Sequence, residues 1–311
     1  MTFDALFLSQ VLGTLGLTVV AAMLARWLWQ YVWLPRRFKG ARMAERYGPG
    51  SWALITGASD GLGKAFAQDL ARHGFSLVLA ARTPSKLDRL RDELQASGTQ
   101  VRTVAADLSR TDDATYTAMA AAVRDLDLSV LINCVGATVH RRYVDVPTAT
   151  LRHLLAVNVT TTAMVTRLMV PALLRHAAST GRRAALLNVG SIVGRFYWPG
   201  TQLYGACKAF IDHLTVPLAH EHRDQLDVLS FQPTVMATAM AAGTEPAAIT
   251  ITPEQAARAA LSHLGHARSS HGHWRHALLA ALFLVMPPAR RNTLFLSSAL
   301  QMEAVERAKA A

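Results

Sequence analysis

The sequence predicts an α/β domain, a doubly wound parallel sheet, preceded by one apolar helix and followed by a helical tail. Between residues 50 and 136, short and almost wholly apolar segments alternate with amphipathic segments of helical periodicity. Strands that are apolar along their whole length are typical of parallel sheets covered by helices on both faces. A glycine-rich turn joins the first strand to the first helix, and an uncharged N-terminal segment precedes the domain.

The elements of the domain follow one another from residue 51. The predicted strands are 51–56, 75–81, 100–107 and 129–136, and the predicted helices between them are 61–73, 85–97 and 111–124. A further buried strand is predicted to end within residues 188–194 and to carry Ser191. Short connections and the lack of internal repeats indicate one domain, which we expect to cover residues 50–268 and to be followed by a helical tail, residues 269–311.

The N-terminal segment from Ala5 to Ala25 carries no charge and is long enough to cross a bilayer as a helix. Aromatic residues follow it, as at a membrane–water interface, and then a basic cluster. These residues are Trp27, Trp29, Tyr31 and Trp33, then Arg36, Arg37, Lys39, Arg42 and Arg46. We therefore expect residues 1–35 to form a single-pass membrane anchor, residues 36–49 a basic linker, and the rest to lie on the cytoplasmic side. A cleaved signal peptide is the alternative, although no basic residue precedes the apolar segment.

The charge and the cysteines narrow the classes of function. A net charge of +11 over 311 residues fits an anionic membrane surface, a phosphorylated ligand or nucleic acid. No element that reads a nucleic-acid groove accompanies this charge, and much of it adjoins the predicted anchor, so we expect no nucleic-acid partner. Cys134 and Cys207 lie far apart in the sequence and indicate neither a disulfide framework nor a metal cluster.

Three glycines mark a candidate phosphate-binding turn. Gly57, Gly61 and Gly63 lie between the first strand and the first helix, where backbone N–H groups and the helix dipole favour a pyrophosphate. Their spacing, Gly-x-x-x-Gly-x-Gly, differs from the commoner Gly-x-Gly-x-x-Gly. We expect Gly57 to allow the turn, Gly61 the close approach of a dinucleotide, and Gly63 the packing of helix on sheet. An ordinary glycine-rich turn is the alternative.

A tyrosine and a lysine form a candidate proton-transfer pair. Tyr204 and Lys208 are four residues apart, which places them on one face of a helix, and Ser191 lies thirteen positions before Tyr204. An ammonium group beside a phenol lowers the pKa of the phenol, so the sequence predicts that Tyr204 exchanges a proton near neutral pH. Such pairs arise often by chance, but this one occurs together with the glycine-rich turn and a sheet that can hold both.

The sequence resembles the short-chain dehydrogenase/reductase family over residues 50–245. The resemblance rests on TGASDGLG in the first turn and on INCVG, AVNVT, YGACK and SFQPTVMAT further along. It implies a Rossmann-like fold in which Tyr204 is the acid/base and Lys208 binds the nicotinamide ribose and tunes Tyr204. It also implies that Ser191 hydrogen-bonds the substrate oxygen and that Asn158 supports a proton relay through water.

The same resemblance implies a set of cofactor-binding residues. They are Gly57, Ser59, Asp60, Gly61, Leu62, Gly63, Arg82, Asp107, Asn133, Gly136, Tyr204, Lys208, Pro233 and Thr238. Two positions depart from the family pattern, since Cys134 stands where the family has an asparagine and Thr234 where glycine is usual. Both substitutions affect scaffold positions, and no metal is expected.

The end of the second strand bears on the choice of cofactor. NAD sites usually place an acidic residue there for the ribose 2′-hydroxyl, whereas an arginine accommodates the 2′-phosphate of NADP. Here the strand ends in Ala81 and Arg82, so the sequence predicts NADP(H) rather than NAD(H). Pairing of Arg82 with Asp88 at the surface is the alternative. Asp107 is either the adenine-contacting acid that the resemblance implies or the N-cap of the next helix.

A narrower resemblance suggests the type of substrate. The N-terminal segment with its basic linker, YGPGSWALITGASDGLGKAFAQDLARHGF, VDVP and FQPTVMATAM are similar to the branch of 17-beta-hydroxysteroid dehydrogenases and very-long-chain 3-oxoacyl-CoA reductases. That branch implies a membrane-anchored enzyme that interconverts ketone and alcohol on a hydrophobic substrate, a steroid or a long acyl thioester. A homodimer is one expectation, and a catalytically silent dinucleotide-binding sensor or scaffold at the membrane is the alternative function.

The C-terminal region carries five histidines and a short apolar segment. We expect the histidines to be solvated loop residues and not metal ligands, because no periodicity brings them together. They are His263, His266, His271, His273 and His276. The apolar segment 277–286 is too short to span a bilayer and ends at two prolines. Three placements stay open for it: in the membrane interface, over the substrate pocket, or against a second subunit.

Overall fold

The structure, a computed structural model, describes residues 2–37, 41–238, 240 and 248–310. The chain forms two compact units, Met1–Phe38 and Lys39–Ala311.

The first unit is helical throughout its described residues. It consists of α1 (Thr2–Leu28), a π-helical turn (Trp29–Trp33) and α2 (Leu34–Arg37). The segment Phe7–Arg37 is long and apolar enough to cross a membrane, and none of its most apolar part is buried against protein. The predicted apolar N-terminal helix is therefore confirmed. A signal sequence meets the same criteria of length and composition, so both predictions made for this helix stand.

The second unit contains the sheet and the remaining helices. In chain order they are α3 (Ala41–Tyr47), β1 (Trp52–Thr56), α4 (Gly61–Arg72), β2 (Ser76–Ala81), α5 (Pro84–Ala96), β3 (Val101–Ala105), α6 (Asp113–Val123), β4 (Leu128–Asn133), α7 (Thr148–Leu155), α8 (Thr161–Thr180), β5 (Ala184–Val189), α9 (Gln202–Glu221), β6 (Leu226–Phe231), α10 (Pro253–His263), β7 (Ser269–Ser270), α11 (Trp274–Val285) and α12 (Pro288–Ala310).

The sheet is parallel and seven-stranded, in the order β3-β2-β1-β4-β5-β6-β7. The prediction of a doubly wound parallel sheet is confirmed. Strand order reverses between β1 and β4, and in such sheets ligands bind outside the carboxyl ends of the strands at that point. The glycine-rich turn lies there, because it follows β1 directly.

Most predicted elements agree with the structure to within a few residues, because their apolar periodicity is strong. Two differences matter for the site. Ser191 does not lie in a strand, since β5 ends at Val189 and a short 3₁₀ turn, Ile192–Gly194, begins after Ser191. The strand β7 has no apolar pattern that could predict it, because it consists of two serines beside β6.

The core lies between the sheet and the helices on its two faces. On one face, Leu54, Leu131 and Leu186 of three neighbouring strands pack with Val165 and Leu173 of α8. The joined segment Thr148–Thr180, which contains α7 and α8, is also apolar and long enough to pass for a membrane span. It is a core helix of the domain, because α8 packs against β4, β5 and β6.

The segment predicted as a basic linker contains helix α3, and α3 packs on the sheet domain. Tyr47 is fully buried, and its hydroxyl donates a hydrogen bond to Asp227 at 2.9 Å. Arg46 and Arg183 also donate to the Asp227 carboxylate. Because Asp227 is the second residue of β6, α3 is fastened at the amino-terminal edge of the sheet, opposite the edge that follows the strands.

The C-terminal helices pack over the loop that follows Ser191. Trp198 stacks on Phe295 of α12 with ring centroids 3.6 Å apart, and its indole N–H donates to the Phe295 carbonyl. Phe283 of α11 meets Phe295 edge to face, and Ile192 completes the cluster. Of the three placements left open for residues 277–286, packing beside the candidate site is the one that this contact supports.

The prediction that the C-terminal histidines are solvated loop residues is wrong for two of them. His263 ends α10 and His276 lies in α11, and both are fully buried. Each is accommodated by hydrogen bonds: His263 Nδ1 lies 2.8 Å from Ser270 Oγ, and His276 bonds the backbone of the loop after β6. Among the described residues, no three metal-ligating side chains come together.

Candidate active site

The glycine-rich turn has the backbone that its spacing suggests. Gly57 and Gly61 have φ values of +67° and +50°, in the left-handed region that favours glycine. A Cβ on Gly63 would lie 2.1 Å from the Gly57 carbonyl oxygen, so no side chain fits there. Asp60 caps α4 by accepting from the Gly61 N–H at 2.8 Å. The turn therefore presents bare backbone at the start of α4, as a pyrophosphate requires.

Asn158 and Lys208 reach the same stretch of backbone beyond β4. Asn158 lies in a π-helical turn, Ala156–Thr160, between α7 and α8, and its buried amide donates to the Ala137 carbonyl at 2.9 Å. Its carbonyl oxygen accepts from the Ala137 N–H at 3.3 Å. A Cβ on Gly136 would lie 3.2 Å from Asn158 Oδ1 and 3.4 Å from Lys208 Nζ. Glycine at 136 thus allows both side chains to approach.

Ser191, Tyr204 and Lys208 come together at the end of β5. The Ser191 side chain lies close enough to the Tyr204 hydroxyl to act on the pKa of the phenol. Lys208 is buried one turn further along α9, where its ammonium donates to the Val189 carbonyl at 2.9 Å and lies 5.5 Å from the centre of the Tyr204 ring. The hydroxyl groups of Ser191 and Tyr204 thus face the cavity, and the Lys208 ammonium lies behind these two hydroxyl groups.

The pKa of Tyr204 differs from the one that its spacing from Lys208 predicts, and the pKa of Lys208 is shifted as well. Burial raises the pKa of Tyr204 to about 12, although the hydrogen bond with Ser191 opposes the change. Burial lowers the pKa of Lys208 to about 8. Burial thus moves the pKa of Tyr204 in the opposite direction from the one that the Tyr–Lys spacing predicts, because the phenolate loses hydration. At neutral pH, Tyr204 is a protonated donor beside a mostly charged Lys208.

These residues border a cavity of 830 Å³. Eleven of the predicted site residues line it: Gly57, Asp60, Gly61, Leu62, Gly63, Gly136, Ser191, Tyr204, Lys208, Pro233 and Thr238. Its other end is apolar and belongs mainly to the C-terminal helices, through Leu279, Phe283, Met286, Leu294, Phe295 and Met302. The cavity thus joins a polar part beside the glycine-rich turn to a long apolar part.

The remaining predicted site residues lie around the cavity and outside its wall. Ser59 is half-buried in the glycine-rich turn, and Arg82 is exposed directly after β2. Asn133 is buried below the site, where its amide donates to Thr166 Oγ1 at 3.0 Å and Asn188 Oδ1 at 2.8 Å. Asn133 therefore ties β4 to β5 and α8.

The partners of Asp107 and Asp88 bear on two alternatives left open by the sequence. These are the N-cap role of Asp107 and the pairing of Arg82 with Asp88. Asp107 accepts from the Ser109 N–H and hydroxyl, which lowers its pKa, and it does not cap α6. The N-cap of α6 is Asp112, which accepts from the Thr115 N–H at 2.9 Å. Asp88 forms its ion pair with Arg91 at 2.8 Å.

Some residues of the cavity wall were not among the site residues predicted from the sequence. The loop after β6 contributes Thr234, Val235 and Met236, and buried His276 holds this loop. The His276 Nδ1 accepts from the Thr234 N–H at 3.3 Å, and its Nε2 lies 3.2 Å from the Val235 carbonyl. Burial lowers the pKa of His276 to about 4, so it is neutral at physiological pH. The only sign of this role in the sequence was that His276 is one of five histidines in the C-terminal region.

The residues present fit a dinucleotide. The first turn leaves no room for side chains where a pyrophosphate would lie, and the Thr234 hydroxyl in the cavity wall is buried without a partner among the described residues. A model of the short chain dehydrogenase family matches residues 51–248.

Individual relatives agree with the family model. The chain is 30% identical over 263 residues to the very-long-chain 3-oxoacyl-CoA reductase of Anas platyrhynchos, covering 83% of this chain and 82% of that protein. It superposes on a 7beta-hydroxysteroid dehydrogenase with a TM-score of 0.72 and 26% identity, covering 81% of this chain and 98% of the other.

An NADPH complex is also among the similar structures. A short-chain dehydrogenase from Sphingobium yanoikuyae in complex with NADPH superposes with a TM-score of 0.60 and 32% identity, covering 68% of this chain and 84% of that one. Because the family model covers most of the sheet domain and the relative covers more than two thirds of both chains, the chain is an oxidoreductase of the short-chain dehydrogenase family, on the branch of the very-long-chain 3-oxoacyl-CoA reductases.

Proposed function

We propose that the chain is an NADP(H)-dependent reductase that interconverts a ketone and a secondary alcohol on a hydrophobic substrate, a long-chain 3-oxoacyl thioester or a steroid. The observation that carries the proposal is that Ser191, Tyr204 and Lys208 lie together in the wall of one cavity, whose other end is apolar. The name of the relative from Anas platyrhynchos supports the acyl thioester, and the likeness to a 7beta-hydroxysteroid dehydrogenase supports the steroid.

The proposed chemistry assigns one task to each residue. Bound NADPH supplies the hydride to the carbonyl carbon. Tyr204 donates its proton to the carbonyl oxygen, which Ser191 also holds by a hydrogen bond. Lys208 binds the nicotinamide ribose, and its positive charge favours the phenolate that Tyr204 becomes after donation. Asn158 keeps the Gly136–Ala137 backbone in place and supports the return of a proton to Tyr204.

The cofactor residues divide between the two ends of a dinucleotide. We assign the pyrophosphate to the turn of Gly57, Ser59, Asp60, Gly61, Leu62 and Gly63, the adenosine to Arg82 and Asp107, and the nicotinamide side to Asn133, Gly136, Tyr204, Lys208, Pro233 and Thr238. Preference for NADP(H) rests on Arg82, which is exposed at the end of β2 where an NAD enzyme usually has a carboxylate. Similar solved structures hold NADPH in one case and NADH in another, so they do not distinguish the two cofactors.

Arg82→Ala should weaken NADPH binding about tenfold or more and change NADH binding little, because only NADPH loses a charge-assisted contact with its 2′-phosphate. Dissociation constants from cofactor fluorescence give the comparison. Arg89→Ala, at an exposed arginine of α5, removes the same charge as a matched control. Equal losses of NADPH and NADH affinity in Arg82→Ala would contradict the assignment.

The pH profile should follow Lys208. Its pKa of about 8 means that the ammonium is present below that pH and lost above it, whereas Tyr204, at about 12, stays protonated throughout. We therefore expect kcat/KM for NADPH to fall about tenfold per pH unit above that pKa, since this parameter reports groups of the free enzyme. Thermal unfolding at each pH is the control for stability. A profile that stays flat well above pH 8 would refute the assignment.

We also propose that the N-terminal helix is a single-pass anchor with the reductase on the cytoplasmic side. Its apolar length and the basic residues after it support this topology. The full chain should resist alkaline carbonate extraction from membranes, whereas a chain lacking residues 1–35 should be released while still binding NADPH. Release of the full chain by carbonate would rule out the span.

The function itself is tested by NADPH oxidation with detergent-solubilised protein. Long-chain 3-oxoacyl-CoAs, ketosteroids and retinal-like carbonyls form the panel of substrates. Turnover of one class identifies the substrate. Tight NADPH binding with no turnover of any carbonyl would favour the alternative, a dinucleotide-binding sensor or scaffold at the membrane.

A further inference from the structure

The apolar end of the cavity is covered by α11 and α12, and these two helices also carry an exposed apolar surface. On α11, Leu284 is 72% and Val285 79% exposed, and Leu278 is exposed as well. Leu296 and Leu300 continue the surface on α12. We call α11 and residues 288–302 of α12 the C-terminal hairpin. Large apolar side chains exposed in such number on two packed helices are typical of a surface that meets a partner or a membrane.

Two residues of this hairpin that line the cavity are also accessible to solvent. Leu282 and Leu294 both line the cavity, yet they are 51% and 46% exposed. The hairpin is well fixed, because Phe283 and Phe295 pack edge to face and the Arg291 guanidinium donates to the Phe283 carbonyl at 3.0 Å. The apolar surface therefore belongs to a packed element that lines the cavity and is not a frayed end of the chain.

The charge pattern of the hairpin identifies what can cover it. No aspartate or glutamate occurs between Glu254 and Glu303, while Arg275, Arg290 and Arg291 flank the apolar residues. If two copies of the chain met through this face, the arginines of one copy would lie against the arginines of the other and repel them. Anionic lipid headgroups attract such a surface, and apolar side chains bordered by arginine are typical of segments that lie in a membrane interface.

The dimensions point to the interface and not to a span. At 12 residues, α11 is roughly 18 Å long, against roughly 30 Å for the hydrocarbon core. We propose that the C-terminal hairpin lies in the headgroup region of an anionic bilayer and that an acyl chain passes from the lipid into the cavity between Leu282 and Leu294. The route of the substrate rests on the proposed function, whereas the membrane contact does not.

The contact can be measured with an environment-sensitive fluorophore on the full chain in vesicles of phosphatidylcholine and phosphatidylserine. Val285→Cys places the label on the hairpin. Ser97→Cys is the matched control, exposed at the end of α5 near β3, at the opposite edge of the sheet from β7. Burial raises the pKa of the native Cys134 and Cys207 thiols, and the unsubstituted chain is labelled in parallel as a blank.

The label at 285 should be quenched severalfold more by nitroxide-bearing lipids than the label at 97, and less by aqueous iodide. Equal quenching of both labels by iodide would overturn the proposal. Protection of the label at 285 from both quenchers would also overturn it, because a second copy of the chain would then cover the hairpin.

The route into the cavity is tested with Leu284 and Val285, which lie outside the cavity wall. Replacing both by Glu should raise KM severalfold for a long-chain ketone dissolved in the vesicles and leave kcat/KM for a short water-soluble ketone unchanged. Replacing both by Lys should raise KM less, because it keeps the attraction to anionic lipid. Equal KM values in the wild type and the Glu variant would reject the route.

The two proposals fail in different ways. If no carbonyl is reduced but lipid quenches the label at 285, the proposed function is wrong and the membrane contact stands. If a carbonyl is reduced but the label at 285 behaves like the label at 97, the membrane contact is wrong and the function stands.

Discussion

Tyr204→Phe should lower kcat for ketone reduction by about 10²–10⁴-fold, the usual effect of losing a positioned general acid. The change removes the hydroxyl beside Ser191 and keeps the ring beside Lys208. Because Lys208 and the glycine-rich turn are untouched, the NADPH dissociation constant should change little. Single-turnover measurements with bound NADPH separate the chemical step from binding.

Tyr197→Phe is the matched control for this loss. Tyr197 belongs to the same segment between β5 and α9 but is 88% exposed, so its hydroxyl has no role in the cavity. It should react at the wild-type rate. A wild-type rate in Tyr204→Phe would show that another group donates the proton. A loss of NADPH binding in Tyr204→Phe would mean that the hydroxyl also holds the nicotinamide side of the cofactor, and single turnover at saturating NADPH would then measure the proton transfer.

Asp227→Ala should cost the domain about 3 kcal/mol of unfolding free energy, near the lower end of the range for breaking a buried ion pair. The carboxylate is 6% exposed and accepts hydrogen bonds from Arg46, Tyr47 and Arg183. Its removal takes this acceptor from the buried Tyr47 phenol and from the Arg46 guanidinium, whereas Arg183 still donates to backbone carbonyls. The cost stays moderate because both arginines still reach water. For a domain of this size, Tm should fall by roughly 6–12 °C.

The neighbouring Asp224 provides the control. Its side chain is 89% exposed and lies 3.7 Å from Arg223, so Asp224→Ala should cost less than about 1 kcal/mol. Tyr47→Phe removes one hydrogen bond to Asp227. Its loss of unfolding free energy should lie between those of Asp227→Ala and Asp224→Ala. A wild-type Tm in Asp227→Ala would mean that α3 is held by apolar packing alone.

The same carboxylate makes stability depend on pH. Burial disfavours its charge, but the hydrogen bonds and charge of Arg46, together with Tyr47 and Arg183, outweigh burial and hold the pKa of Asp227 below its usual value. A lowered pKa gives stability that is present above the unfolded value of about 4 and lost as pH falls through the folded value. The difference in Tm between wild type and Asp227→Ala should therefore narrow in acid, as thermal unfolding across pH would show.

Much of the site could be predicted because its residues lie in short motifs. Gly57, Gly61 and Gly63 fall in one turn, and Tyr204 and Lys208 are one helical turn apart, so local spacing alone brings each group together. The pKa of Tyr204 could not be predicted in the same way. It depends on how much water the surrounding elements exclude, and burial raises it where the Tyr–Lys spacing suggested the opposite.

The parallel sheet, the apolar N-terminal helix and the motifs of the family could all be predicted from the sequence, since each depends on the periodicity or spacing of neighbouring residues. The places where distant segments meet became known only from the folded chain. Tyr47 reaches Asp227 across 180 positions, His276 holds the loop of Thr234, and the C-terminal hairpin closes the apolar end of the cavity. These contacts join residues far apart in the chain. Burial and charge at such contacts depend on tertiary packing, which local sequence patterns do not encode.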